Sequence, residues 1–461
     1  RRAVGAGAGG ARPRRGRTPG RAARAAGMVT RVGCRAMLTL ACFGSGGLVA
    51  GDAVPAVTLD RPSFLIILTD DQRAADVERA MPLTFARLHG EGVIFTRGYA
   101  TTPLCCPSRS SLLTGRYARH HGVHTNGDPL RLPTIVDALH AAGYRTGLIG
   151  KYLNSWNGTP RPEFDRWVHG LAYRNPVFNV DGRSVRYQGH VLDGLQHHAL
   201  AFFDASATEP NRPFFLLFSP RVPHLPAVPQ PADSGRFLEP AMPAMSVEAD
   251  LSDKPAWIRR LPRLAPRRDA QLREEHRRML QAAAGLDRVI GAMLDRLAAQ
   301  GRLDSTVVIF LSDNGWLAGE HRYRGKGVVY EEATRVPFAL RYPPLVPSPR
   351  TEERLVANID IAPTLYELAG LPIPDGVDGR SLATLLRGGA WRDALLLEGW
   401  RGAGPPWTAI HTGRYVYVET RNERAELYDL ATDPAQHDNV AGEPAQADRV
   451  AALRVRLQGF K

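Results

Sequence analysis

Two adjacent cysteines, Cys105 and Cys106, open the stretch "CCPSRSSLLTGR". The chain has four cysteines, and consecutive cysteines rarely bridge each other because disulfide geometry does not suit neighbouring residues. Either both are inert buried thiols or one of them is chemically special. The other two, Cys34 and Cys42, fall in a segment with the pattern of an export signal. A mature protein that keeps only the adjacent pair has no disulfide framework, which favours a reactive role.

Four residues with side-chain oxygens follow two apolar runs. Asp70 and Asp71 follow the run in "PSFLIILTDDQ", and Asp313 and Asn314 follow the run in "STVVIFLSDNG". No Cys-x-x-Cys or His-x-x-x-His spacing accompanies them, and hard oxygen donors select calcium or magnesium over zinc. We therefore expect a divalent cation, calcium first and magnesium second, with room for one more anionic oxygen.

Lysine is rare in this chain. Of 59 basic residues only four are lysines: Lys151, Lys254, Lys326 and Lys461. Lys151 follows an apolar run in "YRTGLIGKYLN", and Lys326 lies in "RYRGKGVVYEE". Because a compact ammonium group is not freely replaced by a planar guanidinium, we expect these two to hold an anion. Lys254 falls in a Pro- and Arg-rich segment, where we expect a long loop.

Short strands must position these residues. The three runs quoted above and a fourth, "RPFFLLFSPRVPH", which leads to His224, are short and apolar without alternation. That pattern is typical of strands buried on both faces. Helical patterns lie between them at 131–142, 271–299 and 361–370, and strands that alternate with helices indicate an α/β fold with a largely parallel sheet.

The polar residues all sit where a strand ends. In open α/β sheets, ligands bind beyond the carboxyl ends of the strands. Each ending alone is compatible with ordinary turn chemistry, since Asp, Asn and Gly are common after strands. Four endings that supply oxygen ligands and cations favour one shared site.

The net charge of +13 is concentrated at the beginning of the chain. Residues 1–27 hold eight arginines and no acid, and without them the charge falls to +5. We expect this segment to be disordered or untranslated. Residues 28–56 have the order of a secretory signal peptide, with a lipoprotein signal at Cys42 as the lesser alternative. No basic stripe with aromatic residues indicates nucleic-acid binding, and no other segment predicts a stable membrane partner.

With these motifs in order, the chain resembles the sulfatase family. "CCPSRSSLLTGR" is similar to the sulfatase signature, and the likeness runs from about residue 61 to 440. It includes "LTDDQ", "SDNGWLAGEHRYRGKGVVYEEATRVP" and "ELYDLATDPAQHDNVAG". The resemblance implies an alkaline-phosphatase-like sandwich with a large, mostly parallel central sheet flanked by helices. It also implies a catalytic domain at 61–372 and a small C-terminal antiparallel subdomain at 375–461.

The resemblance also assigns roles to the site residues. In that family the first cysteine of the signature, here Cys105, is oxidised to Cα-formylglycine by a formylglycine-generating enzyme, and Cys106 occupies a free position. The metal ligands implied by it are Asp70, Asp71, Asp313, Asn314 and residue 105 itself. Arg109 resembles the arginine that steadies the formylglycine. Lys151, His224 and Lys326 resemble the residues that hold the sulfate and assist proton transfer.

One departure from the family pattern affects the site. Many relatives read Gly-Lys-Trp-His-Leu-Gly after the strand, whereas this chain reads "GKYLNSW", so Leu153 stands in place of a catalytic histidine. The Lys-Tyr-Leu-Asn version resembles the N-acetylglucosamine-6-sulfatase and extracellular heparan sulfatase branch. His121 and His321 are candidates for the missing role and for substrate binding.

The function implied is hydrolysis of a sulfate ester by a secreted or extracytoplasmic enzyme. Hydrated formylglycine offers two hydroxyls, one to attack sulfur and one to expel sulfate afterwards, which plain cysteine cannot do. A sulfated sugar or glycosaminoglycan is the expected substrate, with an aryl sulfate as the fallback. Two alternatives stay open: a phosphate or phosphonate ester hydrolase of the same superfamily, and a non-catalytic protein that binds acidic glycans.

Two further segments carry expectations. "AIHTGRYVYVET" and "AELYDLATDP" read as strands of the C-terminal subdomain, which walls the substrate cleft in sulfatases. Residues 227–270 are rich in proline and arginine and predict a long loop, either one that carries substrate specificity or a solvated surface loop.

Overall fold

A computed structural model describes residues 61–238, 250–400 and 404–460. The segments predicted as disordered or untranslated (1–27) and as a signal peptide (28–56) lie outside the described residues. The described residues belong to one compact unit.

The described part of the chain contains eighteen strands and twelve α-helices. The strands are β1 (Ser63–Thr69), β2 (Val93–Phe95), β3 (Gly98–Tyr99), β4 (Arg145–Gly150), β5 (Arg166–His169), β6 (Val177–Val180), β7 (Arg183–Arg186), β8 (Phe214–Ser219), β9 (Thr306–Ser312), β10 (Leu317–Ala318), β11 (Arg324–Gly325), β12 (Phe338–Arg341), β13 (Arg350–Glu352), β14 (Val356–Ala357), β15 (Leu395–Gly399), β16 (Trp407–His411), β17 (Tyr415–Thr420) and β18 (Glu426–Asp429). The helices are α1 (Val77–Ala80), α2 (Pro82–Gly90), α3 (Cys105–Thr114), α4 (Ala118–His121), α5 (Ile135–Ala141), α6 (Val191–Ala207), α7 (Ala256–Arg259), α8 (Pro266–Ala299), α9 (Glu331–Thr334), α10 (Ile361–Leu368), α11 (Leu382–Leu386) and α12 (Ala447–Gln458).

Ten strands form the central sheet, in the order β13-β2-β12-β9-β1-β8-β4-β5-β6-β7. The five neighbours β9, β1, β8, β4 and β5 run parallel. The four predicted strands are β1, β4, β8 and β9, and all of them lie in this parallel centre. The predicted α/β class with a mostly parallel sheet is confirmed.

The sheet is covered on both faces. Leu65 and Ile67 of β1 belong to an apolar cluster with residues of α6 and α8. Phe64 and Ile66, which alternate with them, belong to a second cluster with residues of α3, α5 and α10. This double burial explains why the strand reads as a continuous apolar run. Truncating a side chain such as Ile66 to alanine would cost about 2–5 kcal/mol.

Local signals set the helix boundaries. The predicted helix at 131–142 begins at Ile135, because Thr134 accepts the backbone N–H of Val136 and Asp137 closes a capping box. The predicted helix at 271–299 begins earlier, at Pro266, since proline is well suited to the first turn. These differences move the ends of the helices and leave their type unchanged.

A second sheet follows near the end of the chain. Strands β15 to β18 pair antiparallel in sequence order, as expected of the C-terminal subdomain. "AIHTGRYVYVET" forms two strands rather than one, joined by a turn in which Gly413 has a φ of 84°. Helix α12 covers this sheet through Leu453 and Leu457. Helix α11, also beyond residue 375, packs on α10, and its Leu382 and Leu385 belong to the second core cluster.

The segment 227–270 is only partly a loop. Residues 239–249 lie outside the described residues, whereas α7 and the start of α8 fall inside the segment. Lys254 lies in a loop before α7, as expected, but it is fully buried and not a solvated side chain. Its ammonium donates to the carbonyl oxygens of Gln436 (2.7 Å) and His437 (2.6 Å), so it joins this segment to the C-terminal region.

No helix among residues 61–238, 250–400 and 404–460 combines the length and apolar character needed to span a membrane.

Candidate active site

The four predicted strand endings meet at one edge of the central sheet. Thr69 of β1 is in register with Ser312 of β9, and Gly150 of β4 is in register with Ser219 of β8. The backbone N–H of Asp70 donates to Val222 O at 3.2 Å, which brings the loop after β8 to the end of β1. The polar residues that follow these strands therefore become neighbours.

Three carboxylates and one amide form the centre of this edge. Asp70, Asp71, Asp313 and Asn314 are all buried. The backbone N–H of Asp71 donates to Oδ1 of Asp313 at 3.3 Å, and Nδ2 of Asn314 donates to Oδ1 of Asp71 at 2.6 Å. Asp71 has a φ of 66°, a left-handed conformation that aspartate tolerates better than most residues. The chain thus turns at once after β1 and keeps both aspartates in the cluster.

Cys105 is the first residue of α3, whose residues are all buried. Its Sγ lies 3.6 Å from Oδ1 of Asp70. The start of this helix is held by Asn126, whose Oδ1 accepts the backbone N–H of Cys106 at 2.9 Å. The helix ends at Gly115, which has a φ of 70°, the usual glycine cap. Burial and the nearby Asp70 raise the pKa of the Cys105 thiol to about 12.

Three cations surround the acidic cluster. Nζ of Lys151 lies 2.6 Å from Oδ2 of Asp70. Lys326 donates to Oδ1 of Asp71 and to Sγ of Cys105 at 2.8 Å. Nε of Arg109 donates to Oδ2 of Asp313 at 2.8 Å. These contacts neutralise charges that would be costly to bury alone.

The cations shift the acidities of their partners. Burial opposes ionisation of Asp70, but Lys151 and Arg109 outweigh it and hold the pKa of that carboxyl well below its usual range. Burial and the neighbouring Asp70 raise the pKa of Asp313. Although burial works against a charged Lys326, Asp71 raises its pKa well above the usual lysine value. Burial also works against a charged Lys151, but Asp70 raises its pKa, so both lysines are charged near neutral pH.

The cluster fits a divalent cation. Asp70, Asp71, Cys105 and Asp313 each offer a ligand atom, and these atoms lie within 4.8 Å of one another. Oδ2 of Asp71 and Oδ1 of Asn314 are buried oxygens with no hydrogen-bond partner among the described residues. Buried oxygens normally have a partner, and a hard cation would provide one for both.

His224 lies at the border of the cluster. Its Nε2 is 3.7 Å from Oδ2 of Asp71, and 27% of its side chain is exposed. Its Nδ1 donates to the carbonyl of Leu225 at 2.6 Å, which points Nε2 toward the acidic residues. The imidazole is thus reachable by a ligand from the solvent side.

The two other predicted histidines make different contacts. His121 is buried, its Nε2 is 3.0 Å from Oγ of Ser111, and its Nδ1 accepts the backbone N–H of Val123. His321 is fully buried and stacks on Tyr330 at 3.7 Å between ring centroids. Burial lowers the pKa of each to about 3. Neither is brought into contact with the acidic cluster by a described hydrogen bond, so their substrate-binding role stays a prediction without structural support.

Two further residues, Ser219 and His169, lie at this edge of the sheet and were not predicted as site residues from the sequence. Oγ of Ser219 accepts a hydrogen bond from Arg109 at 2.6 Å, and its signal was its place at the end of β8. His169 ends β5 and lies across from Gly150, because Val168 is in register with Ile149. Burial, Arg109 and Lys151 lower the pKa of His169 to about 4, so this imidazole is neutral beside the cations. The pattern "DRWVHG", a short apolar run that ends in His169, is the signal that predicts a further strand ending here.

Comparison with known proteins gives a consistent result. The Sulfatase family profile matches residues 62–371, and the profile described as N-sulphoglucosamine sulphohydrolase, C-terminal, matches residues 319–461. The extracellular sulfatase SULF-1 homolog of Drosophila melanogaster is 34% identical over 374 residues, which are 73% of this chain and 33% of that protein. The chain thus spans about a third of the length of that relative.

Two other proteins match more of their own length. The N-acetylglucosamine-6-sulfatase of Homo sapiens is 28% identical over 474 residues, 87% of this chain and 83% of that protein. A protein solved in complex with its substrate D-glucosamine-2-N,6-O-disulfate superposes with a TM-score of 0.76 at 24% identity, over 87% of this chain and 97% of that chain. The latter likeness shows a shared fold.

Proposed function

The chain belongs to the sulfatase family, and we propose that it is a sulfuric ester hydrolase that acts on a sulfated sugar. The observation that carries this proposal is the position of Cys105, whose Sγ lies between the Asp70 carboxylate at 3.6 Å and the Lys326 ammonium at 2.8 Å. A reactive group at this position faces metal-binding oxygens on one side and a fixed positive charge on the other.

Calcium is the cation we propose for the site, with magnesium as the second choice. Asp70, Asp71, Asp313 and Asn314 would hold it, together with the oxidised side chain of residue 105. A bound calcium ion supplies positive charge that stabilises a developing oxyanion and lowers the pKa of a hydroxyl. The oxygen-only donor set and the two buried oxygens without partners support this assignment.

We further propose that Cys105 is converted to Cα-formylglycine by a formylglycine-generating enzyme. The hydrated aldehyde would supply one hydroxyl as nucleophile and a second hydroxyl for release of sulfate. The buried Cys106 has a different environment, because its Sγ accepts the backbone N–H of Asn154 at 2.9 Å. We therefore expect Cys105 to be oxidised and Cys106 to remain a thiol.

The protein's own side chains bind the sulfate and move the proton. Lys151 and Lys326 face the cluster as compact charges and would hold the oxygens of the sulfate group, stabilising negative charge as the ester bond breaks. Arg109 keeps Lys151 in place, since it donates to the carbonyl oxygen of Lys151 (3.0 Å) and also bonds Asp313 and Ser219. His224 is half-buried at the rim and is the candidate general acid for the departing alcohol.

The sugar substrate and the compartment are part of the proposal. The Lys-Tyr-Leu-Asn sequence at 151–154 resembles the branch that acts on glucosamine and heparan sulfates. The relatives named as extracellular sulfatases support a secreted or extracytoplasmic location.

A direct assay tests the proposal. The enzyme, co-expressed with a formylglycine-generating enzyme, is given N-acetylglucosamine 6-sulfate, 4-nitrophenyl sulfate and 4-nitrophenyl phosphate at equal concentration. We expect release of sulfate from the sugar and the aryl ester, with the phosphate ester cleaved at a lower kcat/KM. Preference for the phosphate ester would favour a phosphatase. No release from any ester, with the metal bound and residue 105 oxidised, would favour a non-catalytic glycan-binding protein.

A further inference from the structure

An open cavity of about 390 Å³ lies at one end of the C-terminal sheet. The ends of β15 and β17 and the beginning of β16 line it. Trp400, Trp407, Glu419 and Arg421 contribute the large side chains. This volume falls in the range of sites that bind small molecules, and none of the residues assigned so far to the reaction lies in its wall.

Trp407 links the wall of the cavity to the chain segment that carries Lys326. Nε1 of Trp407 donates to the carbonyl oxygen of Gly327 at 3.1 Å. Gly327 directly follows Lys326, whose ammonium lies 2.8 Å from Sγ of Cys105. The wall of the cavity is therefore bonded to the residue that follows Lys326 in the chain.

Trp400 joins the cavity to the other side of the centre. Its ring stacks on His124, with 3.9 Å between centroids and 17° between planes. His124 belongs to the same short loop as Asn126, which accepts the backbone N–H of Cys106. Trp400 and Trp407 thus each join the wall of the cavity to a segment that contacts the start of α3.

The chemistry of the wall is that of a sugar site with an anion contact. Indole rings offer flat apolar surfaces for the C–H face of a pyranose. Nε1 of Trp400 is a buried nitrogen without a hydrogen-bond partner in the described residues, and a sugar hydroxyl that reached it would provide one.

The wall carries one carboxylate, that of Glu419, and one guanidinium, that of Arg421. The Arg421 side chain is exposed and forms no ion pair with any residue in 61–238, 250–400 or 404–460. Glu419 is instead engaged by Arg454 at 3.6 Å and by the hydroxyl of Tyr417 at 3.1 Å. A guanidinium forms paired hydrogen bonds with planar or tetrahedral oxyanions. Arg421 is therefore available for an anionic group of a ligand.

We propose that this cavity binds the sugar next to the one whose sulfate ester is cleaved, and that Arg421 pairs with an anionic group on that neighbouring sugar. The inference rests on the proposed function, because only a sulfated glycan has such a neighbour. The anionic group is either the carboxylate of a uronic acid or a second sulfate. The chain would accordingly be selective for oligosaccharides over the sulfated monosaccharide.

Four substrates with the same 6-sulfated glucosamine test this inference. One is the monosaccharide, and three are disaccharides that differ in the neighbouring sugar. In the first disaccharide that sugar carries a carboxylate, and in the second, neutral one it carries a hydroxymethyl group instead. In the third it carries the hydroxymethyl group and a sulfate. The measurement is kcat/KM for sulfate release, expressed as the ratio of each charged disaccharide to the neutral one. We expect at least one ratio of about tenfold or more in the parent, and the charged substrate that gives it identifies the anion.

Arg421→Gln should reduce that ratio to near one by raising KM. Arg421→Lys, which keeps the charge without the planar fork, should fall in between. Arg424→Gln is the matched control, because Arg424 is exposed on the same connection but does not line the cavity, and it should keep the parental ratio. Trp400→Ala should weaken all three disaccharides relative to the monosaccharide. Thermal melting curves identify any variant that fails to fold. If one of the two Arg421 variants fails to fold, the other one tests the role of Arg421.

Two outcomes have different meanings. If the monosaccharide is cleaved but the charged and neutral disaccharides do not differ in the parent, the inference is overturned and the proposed function stands. If no substrate releases sulfate, the proposed function is overturned and the inference with it.

Discussion

The ammonium nitrogen of Lys326 lies 2.8 Å from the sulfur of Cys105, although 221 residues separate them in the chain. The same ammonium contacts Asp71, so it joins the reactive position to the acidic cluster. A single charge held between these two groups acts on whatever anion forms at residue 105. Its position is therefore expected to matter as well as its sign.

Lys326→Arg tests that expectation. Arginine keeps the positive charge but carries a larger, planar head group, which does not fit between Asp71 and residue 105 without displacing one of them. We expect kcat/KM to fall at least about tenfold, roughly 1.4 kcal/mol of transition-state stabilisation. Steady-state kinetics on a sulfate ester provide the measurement.

Lys254→Arg is the matched comparison for Lys326→Arg. Lys254 is buried between two backbone carbonyls and lies 4.6 Å from the ring centroid of Tyr428. The same substitution there should lower the unfolding free energy by about 1–3 kcal/mol and leave the kcat/KM of the folded fraction near the parental value. Equal kinetics for Lys326→Arg and the parent would contradict the assigned role of Lys326.

The oxidation of Cys105 is tested by mass spectrometry. A tryptic peptide that contains residues 105 and 106 should show an aldehyde in place of one thiol and a single alkylated cysteine. Cys105→Ala should abolish turnover. Cys106→Ser keeps a side chain that can accept the N–H of Asn154, and we expect it to retain both the modification and activity. Two alkylated cysteines in a fully active preparation would exclude the modification.

The strand endings were predictable because parallel strands terminate at a common edge. An apolar run followed by Asp70 and Asp71 predicts both the strand and the edge of the sheet at which these side chains lie, and the same holds for Asp313 and Lys151. Asn314 also joined the cluster as expected. The central sheet and the acidic cluster therefore follow from local patterns combined with one topological rule.

Contacts between distant segments could not be predicted in this way. The position of Lys254 depends on carbonyls 182 and 183 residues later, and no local pattern indicates such a partner. The same applies to Trp407, which reaches Gly327 from 80 residues away. His169 was missed for a different reason, because its strand is only four residues long and gives a weak apolar signal.

Metal binding is tested with Asp313→Asn. This change keeps the shape of the side chain and removes one of three negative charges from the cluster. Substitutions of residues that only support metal ligands already lower metal affinity by about 10–100-fold. We therefore expect calcium affinity to fall by more than about a hundredfold. Elemental analysis and the rise of Tm with added calcium measure this effect.

Asp287→Asn is the control for Asp313→Asn. Asp287 is also buried, but it accepts the backbone N–H groups of Leu83 and Thr84 at the start of α2. We expect a lower Tm with unchanged metal content. Full calcium occupancy in Asp313→Asn would remove this residue from the ligand set.

Glu426 provides a test of pH dependence away from the metal. It is fully buried among Tyr428 and Tyr330, which donate at 2.6 and 3.4 Å, and burial raises its pKa from 4.5 to about 7. The folded state therefore binds a proton that the unfolded state releases above about pH 4.5. This contribution to stability is fully present below pH 4.5 and is lost as pH rises through 7.

Glu426→Gln should remove that dependence, because glutamine resembles the protonated carboxyl. We expect similar unfolding free energies for variant and parent near pH 4.5 and a more stable variant at pH 8, by roughly 1–3 kcal/mol. Denaturant titrations at both pH values measure the difference. A constant difference between the two proteins across this range would mean that Glu426 is ionised in the folded state.

Helix α3 is buried along its whole length, with Cys105 only 2% exposed. A modifying enzyme cannot bind a buried helical segment, because such an enzyme needs the backbone on both sides of the target residue to be accessible and extended. Any enzymatic oxidation of Cys105 must therefore precede folding, and under the proposed function the time that the chain stays unfolded would limit the fraction of molecules that becomes active. Molecules that fold before this oxidation would stay inactive. They would have the same secondary structure as the active molecules and would differ from them only in the side chain of residue 105.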